Sequence, residues 1–293
     1  MTMPWADLPC YLNGHLGRLG DARVPVMDRG FLFGDGVYES IPVYARRLFR
    51  VDDHLDRLGR SLKALRIEDP YEREAWLDLF RSLVAHLPDV EDQAIYLQVT
   101  RGVAARGHAM PKDLEPTVLA YTQPLHALTP EQRHQGLSCV TARDFRWQRG
   151  DIKSISLLGN VLARQAATDQ GADETVLIRD GYVTEGSSSN VWIVRDGALL
   201  TPPPGETLLE GIRVRLLKEL CEELGIACNL RPIAETELST ADEILLTSAS
   251  KEVAPVTRLD HDQVGHGALR GKPGPVYAKL HEAYQRAKVL QSR

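Results

Sequence analysis

Cysteine is scarce in this chain. Its 293 residues hold four, Cys10, Cys139, Cys221 and Cys228, with no CxxC spacing among them. That excludes a zinc ribbon and a disulfide framework, and reads as small buried thiols in a reducing compartment. No uninterrupted apolar run approaches membrane-spanning length. The opening MTMPWADLPC lacks a basic segment followed by an apolar core, so no secretory leader is expected and a soluble cytoplasmic protein is. Neither sign of charge dominates, and a net charge of -5 provides no broad basic surface for nucleic acid or anionic membrane. An anionic ligand would have to be met by local positive charge. HExxH, GxSxG and GxxxxGK are missing, and FGDG at 33–36 carries only the first two glycines of GxGxxG. His261, Asp262 and His266 fall in a polar loop, where solvated surface is the expectation rather than a metal site. Metal hydrolases, serine hydrolases and nucleotide binders therefore lose their signatures. No 20- to 50-residue period suggests a solenoid or propeller.

What is present is enough chain for two domains, each with its own core. Asn13-Gly14 and Asp21-Ala22 between short apolar segments suggest an N-terminal hairpin meander. Leu55, Leu58, Leu62 and Leu65 mark one helix, and Trp76, Phe80, Leu83 and Leu87 mark a second. Strands are expected at 94–100 and 117–122. Beyond QPLHALTPEQRHQG, which has linker composition, Leu158, Val161, Leu162, Gln165 and Ala166 keep helical spacing. Asp180-Gly181 and Asp196-Gly197 punctuate two hairpins, and TPPPG at 201–205 precedes a helix bearing Ile212, Leu216, Leu217, Leu220 and Leu224. A last helix is expected from about Gly274 to Leu290. The expected fold is α+β: a smaller N-terminal domain over 1–123, a linker over 124–135 and a larger C-terminal domain over 136–293. A cleft between the two domains is the expected ligand site.

Three segments could carry chemistry. Lys153, in GDIKSISLLGN, stands just before an apolar helix; a lysine shielded from water near other cations has a lowered pKa and becomes a nucleophile toward carbonyls. On that segment alone a snorkelling surface lysine is the first expectation. Glu185, in YVTEGSSSNVW, reads either as part of a capped turn or as a buried acid aimed at a cationic nitrogen. QVTRGVAARGHAMP at 98–111 places Arg101, Arg106 and His108 in a loop with no packing face, as solvated surface or as an anion trap.

The blocks MDRGFLFGDGVYE (27–39), DHLDRL (53–58), IYLQVTRGVAARGHAMP (95–111), FRWQRGDIKSISLLGNVLARQ (145–165), VTEGSSSNVW (183–192), LLEGI (208–212) and LLTSASKEVAPV (245–256) occur in one order along most of the chain. Together they resemble the class IV, or fold-type IV, aminotransferases that use pyridoxal 5′-phosphate (PLP), and among these the bacterial D-amino-acid aminotransferases.

The resemblance implies that Lys153 carries PLP covalently and moves the substrate proton, while Glu185 faces the pyridine nitrogen. It implies a phosphate cup from Arg57, the backbone N–H groups of Ile212 and Arg213, and Ser248, with Leu209 packed on the ring. Arg213 and Ala249 stand where relatives have threonine. Tyr38, Arg106 and His108 match the residues that grip the substrate α-carboxylate, the Arg106/His108 loop reaching the partner's site in a homodimer. Arg101 fits no such role and reads as strand-end surface or as support. Ser40 and Pro42 replace valine and lysine on one wall of the side-chain pocket. The implied reaction is transfer of an amino group from a D-amino acid to a 2-oxo acid through PLP and its pyridoxamine form. Open alternatives are (R)-amine or branched-chain L-amino-acid aminotransferase, aminodeoxychorismate lyase, and a non-catalytic PLP carrier.

Overall fold

The computed structural model describes residues 5–293. The first four, part of the opening stretch read above for a leader, lie outside them. The chain divides into two compact units. Unit 1 holds the described residues up to Leu125 together with Ile152–Leu157 and Lys288–Arg293, and unit 2 holds His126–Asp151 and Leu158–Ala287.

Unit 1 is built on a six-stranded sheet of order β2-β1-β6-β5-β3-β4, antiparallel throughout. Its strands are β1 (Pro9–Leu12), β2 (His15–Arg18), β3 (Gly36–Tyr44), β4 (Arg47–Leu48), β5 (Gln93–Thr100) and β6 (Thr117–Pro124). Alternate positions Val37, Ile41 and Val43, then Ile95, Leu97 and Val99, then Val118 and Ala120, line one buried face. Two helices supply the other half of that core. From α2 (Val51–Ala64) come Leu55, Leu58 and Leu62, and from α3 (Arg73–Ala85) come Trp76, Phe80 and Leu83. Each fully buried leucine or phenylalanine contributes roughly 1.5–3 kcal/mol, so the leucine stripe read from the sequence largely decides where α2 sits. A short helix, α1 (Arg29–Phe33), is capped by Asp28, which accepts the Gly30 N–H at 2.7 Å, and ends at Gly34 with φ of 66°.

Unit 2 carries a nine-stranded mixed sheet. Its strands are β7 (Leu137–Arg143), β8 (Glu174–Arg179), β9 (Tyr182–Gly186), β10 (Asn190–Arg195), β11 (Ala198–Thr201), β12 (Cys228–Leu230), β13 (Glu243–Ser248), β14 (Glu252–Leu259) and β15 (Asp262–Gln263). The order is β12-β11-β10-β13-β14-β7-β8-β9, with β15 beside β14. The helices are α4 (Pro130–Gln135), α5 (Leu158–Asp169), α6 (Ile212–Leu224), α7 (Glu235–Leu238) and α8 (Pro275–Leu290), the last ending within unit 1. Asp180-Gly181 and Asp196-Gly197 take positive φ at both residues, the conformation that two-residue hairpins need.

Three local readings change. Asp21 closes a 3-10 turn over Leu19–Asp21 rather than a second hairpin. The linker-like run contains α4, because Thr129 and Gln132 form a reciprocal capping box with Pro130 in the first turn. On α5 the buried positions are Ala163 and Ala167, while Leu158, Val161 and Leu162 are exposed, so spacing located the helix but not its inward face.

Candidate functional site

Within unit 1, β4 pairs only with the far end of β3, at Val43 and Tyr44, which leaves the opposite end of that edge open. The segment around Lys153 occupies it. Lys153 O accepts the Tyr38 N–H at 3.0 Å, Ile155 donates to Gly36 O at 3.1 Å, and Val37 bridges Ser154. The Lys153 N–H also donates to Ser61 Oγ on α2 at 3.3 Å. The backbone of Lys153 is thus fixed on two sides. Its half-buried Nζ lies 4.3 Å from the Tyr38 ring centroid and faces no carboxylate among the described residues. An amine that no carboxylate ties down is free to swing onto a carbonyl carbon.

Tyr38 and Glu39 project to opposite faces of β3. Tyr38 stacks on Tyr96, with centroids 5.8 Å apart. Glu39 enters the core face, where Arg57 donates to it from Nε at 2.8 Å and Nη2 at 2.7 Å, and His54 Nδ1 lies 2.7 Å away. Burial alone would raise the Glu39 pKa, but the Arg57 guanidinium and His54 hold it well below the usual carboxylate range. Arg57 is therefore buried and fixed by two bonds to one carboxylate, although it lies outside the leucine stripe that marks its helix. Glu39 was overlooked, although a carboxylate in register with Val37, Ile41 and Val43 is itself the signal for a buried partner.

The loop after β5 is gathered around the Phe33 ring. Arg106 lies 5.4 Å from its centroid, Arg29 4.8 Å, and the His108 ring 5.7 Å. Arg106 and His108 are exposed, whereas Arg101 is buried, which corrects its surface reading. Arg101 bonds Asp35 from Nε (2.8 Å) and Nη2 (3.0 Å) and donates to Leu65 O (2.7 Å) and Arg66 O (3.1 Å), the carbonyls just past α2. It is a structural clamp.

In unit 2, Glu185 is buried near the end of β9. One oxygen accepts from Arg146 Nη1 at 2.5 Å, the other from the Leu209 N–H at 3.2 Å. Arg146 is in turn held by two bonds to Asp144, at 2.9 Å each, and Arg179 also reaches Asp144. Burial disfavours the Asp144 charge, but the bonds from Arg146 and Thr184 hold its pKa below the usual range. The serines that follow Glu185 fold onto the fully buried Glu174, which accepts from Ser187 Oγ, from Ser188 and Ser189 Oγ at 3.1 and 3.0 Å, and from Lys251 Nζ at 3.1 Å. Lys251 also caps back through its N–H to Ser248 Oγ at 3.1 Å. Glu174 thereby ties the turn after Glu185 to the turn that bears Ser248 and Ala249.

Helix α6 opens at Gly211 with no side-chain cap and no acidic residue in its first turn. A Cβ at Gly211 would overlap Asn190 Oδ1, while Asn190 Nδ2 donates to Leu209 O at 3.0 Å. The arrangement leaves the N–H groups of Ile212 and Arg213 at an uncapped helix start, suited to an anion. The Arg213 side chain is buried elsewhere, with Nε donating to Tyr284 Oη at 3.1 Å. Only its backbone suits an anion at that helix end. Half-buried Leu209 and Ala249 make no side-chain polar contact.

Residues 36–259 match the family model for amino-transferase class IV. The chain is 40% identical over 273 residues to D-alanine aminotransferase of Bacillus licheniformis, covering 93% of this chain and 94% of that one. It is 37% identical over 284 residues to D-alanine aminotransferase of Staphylococcus haemolyticus, covering 97% and 98%. Among solved structures it resembles the branched-chain amino acid aminotransferase of Escherichia coli, with a TM-score of 0.87 and 27% identity over 96% of this chain and 94% of that one. It also resembles the branched-chain aminotransferase of Thermoproteus uzoniensis with norvaline, with a TM-score of 0.86 and 26% identity over 97% and 95%. The chain belongs to the class IV aminotransferases.

Proposed function

We propose that this enzyme is a D-amino-acid transaminase that uses PLP, moving the amino group of a D-amino acid such as D-alanine to a 2-oxo acid such as 2-oxoglutarate. Class IV aminotransferases use PLP, and the residues here fit it. An acid-free lysine, an uncapped helix start and a buried glutamate fixed by an arginine are the groups that an aldehyde, a phosphate and a pyridinium require. The observation that carries the D-specific reading is the Arg106–Gly107–His108 loop. Its Arg106 and His108 side chains share one phenylalanine ring, in a chain about 40% identical to D-alanine aminotransferases.

Bound PLP supplies an electron sink for the pair released when the substrate Cα–H bond breaks. Lys153 would hold the cofactor, and its Nζ would act as the base that takes the substrate Cα proton and returns it. Glu185 would face the ring nitrogen and favour its protonated form, and Arg146, anchored on Asp144, fixes the orientation of Glu185. The Ile212 and Arg213 N–H groups, Ser248 Oγ and Arg57 would hold the phosphate, Leu209 would pack on the ring and Ala249 would contribute backbone only. Arg106 grips the α-carboxylate by two bonds, and Tyr38 and His108 add one each. A homodimer in which this loop serves the partner's site accounts for its exposure. Free cysteines fit the cytoplasm, and no described helix is long and apolar enough to cross a membrane.

The branched-chain structural relatives favour a second reading, an L-amino-acid aminotransferase. Mixing the PLP-loaded enzyme with D-alanine, L-leucine or (R)-1-phenylethylamine and following loss of the PLP band separates them. D-alanine is expected to bleach the band and yield pyruvate. A response to L-leucine alone would overturn the D-specific reading.

A further inference from the structure

We propose that Arg29 is a positioning residue that sets the Arg106–Gly107–His108 loop for carboxylate capture. The proposal rests on reading Arg106 and His108 as the substrate's carboxylate grip. The loop cannot hold itself: Ala104, Ala105, Gly107 and Ala109 offer little to pack, and a glycine at its centre enlarges its conformational freedom. A restraint must come from outside.

Arg29 provides it. Its side chain is 4% exposed, and Nη1 donates at 2.7 Å to Gly107 O, the carbonyl between the two capture residues. Fixing that carbonyl fixes the peptide plane, and with it the directions in which Arg106 and His108 leave the backbone. The guanidinium is itself held by Asp35, which accepts Nε at 2.7 Å. Asp35 also takes two bonds from Arg101, whose remaining donors bind the carbonyls after α2. A continuous chain of charged bonds therefore runs from the end of α2 through Arg101, Asp35 and Arg29 to Gly107.

The loop is also pinned at its base. Arg29 N donates to Gly102 O at 2.9 Å, and Asp28 bridges Val103. The Phe33 ring receives Arg29 and Arg106 together, an arrangement two cations tolerate because Asp35 offsets one of them. Burial opposes the Asp35 charge, but the bonds from Arg101 and Arg29 hold its pKa below the usual range, so the chain keeps its charges at neutral pH.

The test is a double-mutant cycle on the PLP-loaded enzyme, with D-alanine as substrate. Arg106→Ala removes the grip and is expected to raise KM about a hundredfold, while Arg29→Met, which loses only the bonds that aim the loop, raises it about tenfold. In the Arg29→Met enzyme, kcat, the PLP absorbance band and the affinity of the apo-protein for PLP stay near wild type. The double variant is expected to match Arg106→Ala alone, since an aimed residue that is absent needs no aiming. Multiplied single effects, or an unchanged KM in Arg29→Met, would overturn the positioning role. An unchanged KM in Arg106→Ala would sink the grip reading and this inference together, while turnover of D-alanine by the wild type would leave the transaminase reading standing. If Arg29→Met does not fold, Arg29→Lys, which keeps a cation for Asp35 without the reach to Gly107, carries the same comparison.

Discussion

Replacing Glu39 by glutamine keeps the shape of the side chain and removes a charge that two neighbours depend on. Glu39 is 1% exposed and receives Arg57 through two bonds, with His54 at 2.7 Å. Breaking a buried pair by removing one partner costs about 3–5 kcal/mol, because the remaining ion is left in a poor solvent. The amide can still accept one bond from Arg57, so the lower end, about 3 kcal/mol, is the expectation at pH 7.5. That corresponds to a fall of roughly 10 °C in the melting midpoint of a unit this size. Urea unfolding of the apo-protein, followed by tryptophan fluorescence, measures the difference between the two proteins.

The pH dependence of that difference is the sharper check. The folded pKa of Glu39 lies below its ordinary value of 4.5, so its contribution is fully present above pH 4.5. Below that it fades, because the unfolded chain takes up a proton that the folded one refuses. The loss is about 1.4 kcal/mol per pH unit once the unfolded group is protonated. Asp35, Asp144 and Glu174 are likewise held below their ordinary values, but they titrate alike in both proteins and cancel in the difference. Wild type and Glu39→Gln are therefore expected to draw together as the pH falls below 4.5, the difference shrinking by about 2 kcal/mol by pH 3. A constant difference across that range, or one below about 1 kcal/mol at pH 7.5, would refute the charged-cluster account.

Lys153→Ala is expected to abolish the covalent PLP band and turnover while the apo-protein keeps its melting midpoint, since Nζ makes no ion pair among the described residues that folding depends on. A retained band, seen by absorbance after dialysis, would assign the cofactor to another lysine. Glu185→Gln is expected to lower turnover of D-alanine about a hundredfold with PLP still bound, read from steady-state rates and the PLP content of the protein. Gly211→Ala is expected to weaken PLP binding at least tenfold, because its Cβ meets Asn190 Oδ1 and the first turn of α6 must shift. A PLP titration of the apo-protein decides it, and unchanged affinity would remove the α6 start from the phosphate cup.

How much of this was legible depends on whether a residue's partner is near in sequence or in space. The leucines of α2, the strands β5 and β6, and the Asp-Gly hairpins are local patterns, and each emerged where period and turn chemistry put it. The inward face of α5 did not emerge, because small alanines and not the larger apolar residues are buried there, and spacing cannot rank them. The roles proposed for Lys153 and Glu185 come only from the order of the motif blocks, since each segment by itself fits a plain surface lysine or a capped turn. The residues that escaped, Glu39, Asp35, Arg29, Asp144, Arg146 and Glu174, are charged groups whose counter-charges are set by folding. Arg101 and Asp35 are 66 positions apart, and Glu174 and Lys251 are 77. A single sequence carries no term linking such positions except the cost of leaving a buried charge alone. Applied to Glu39, whose strand register is apolar on both sides, that cost does predict a cationic partner. It does not predict that the partner is Arg57, and so leaves unseen that one carboxylate fixes the arginine proposed for the phosphate cup.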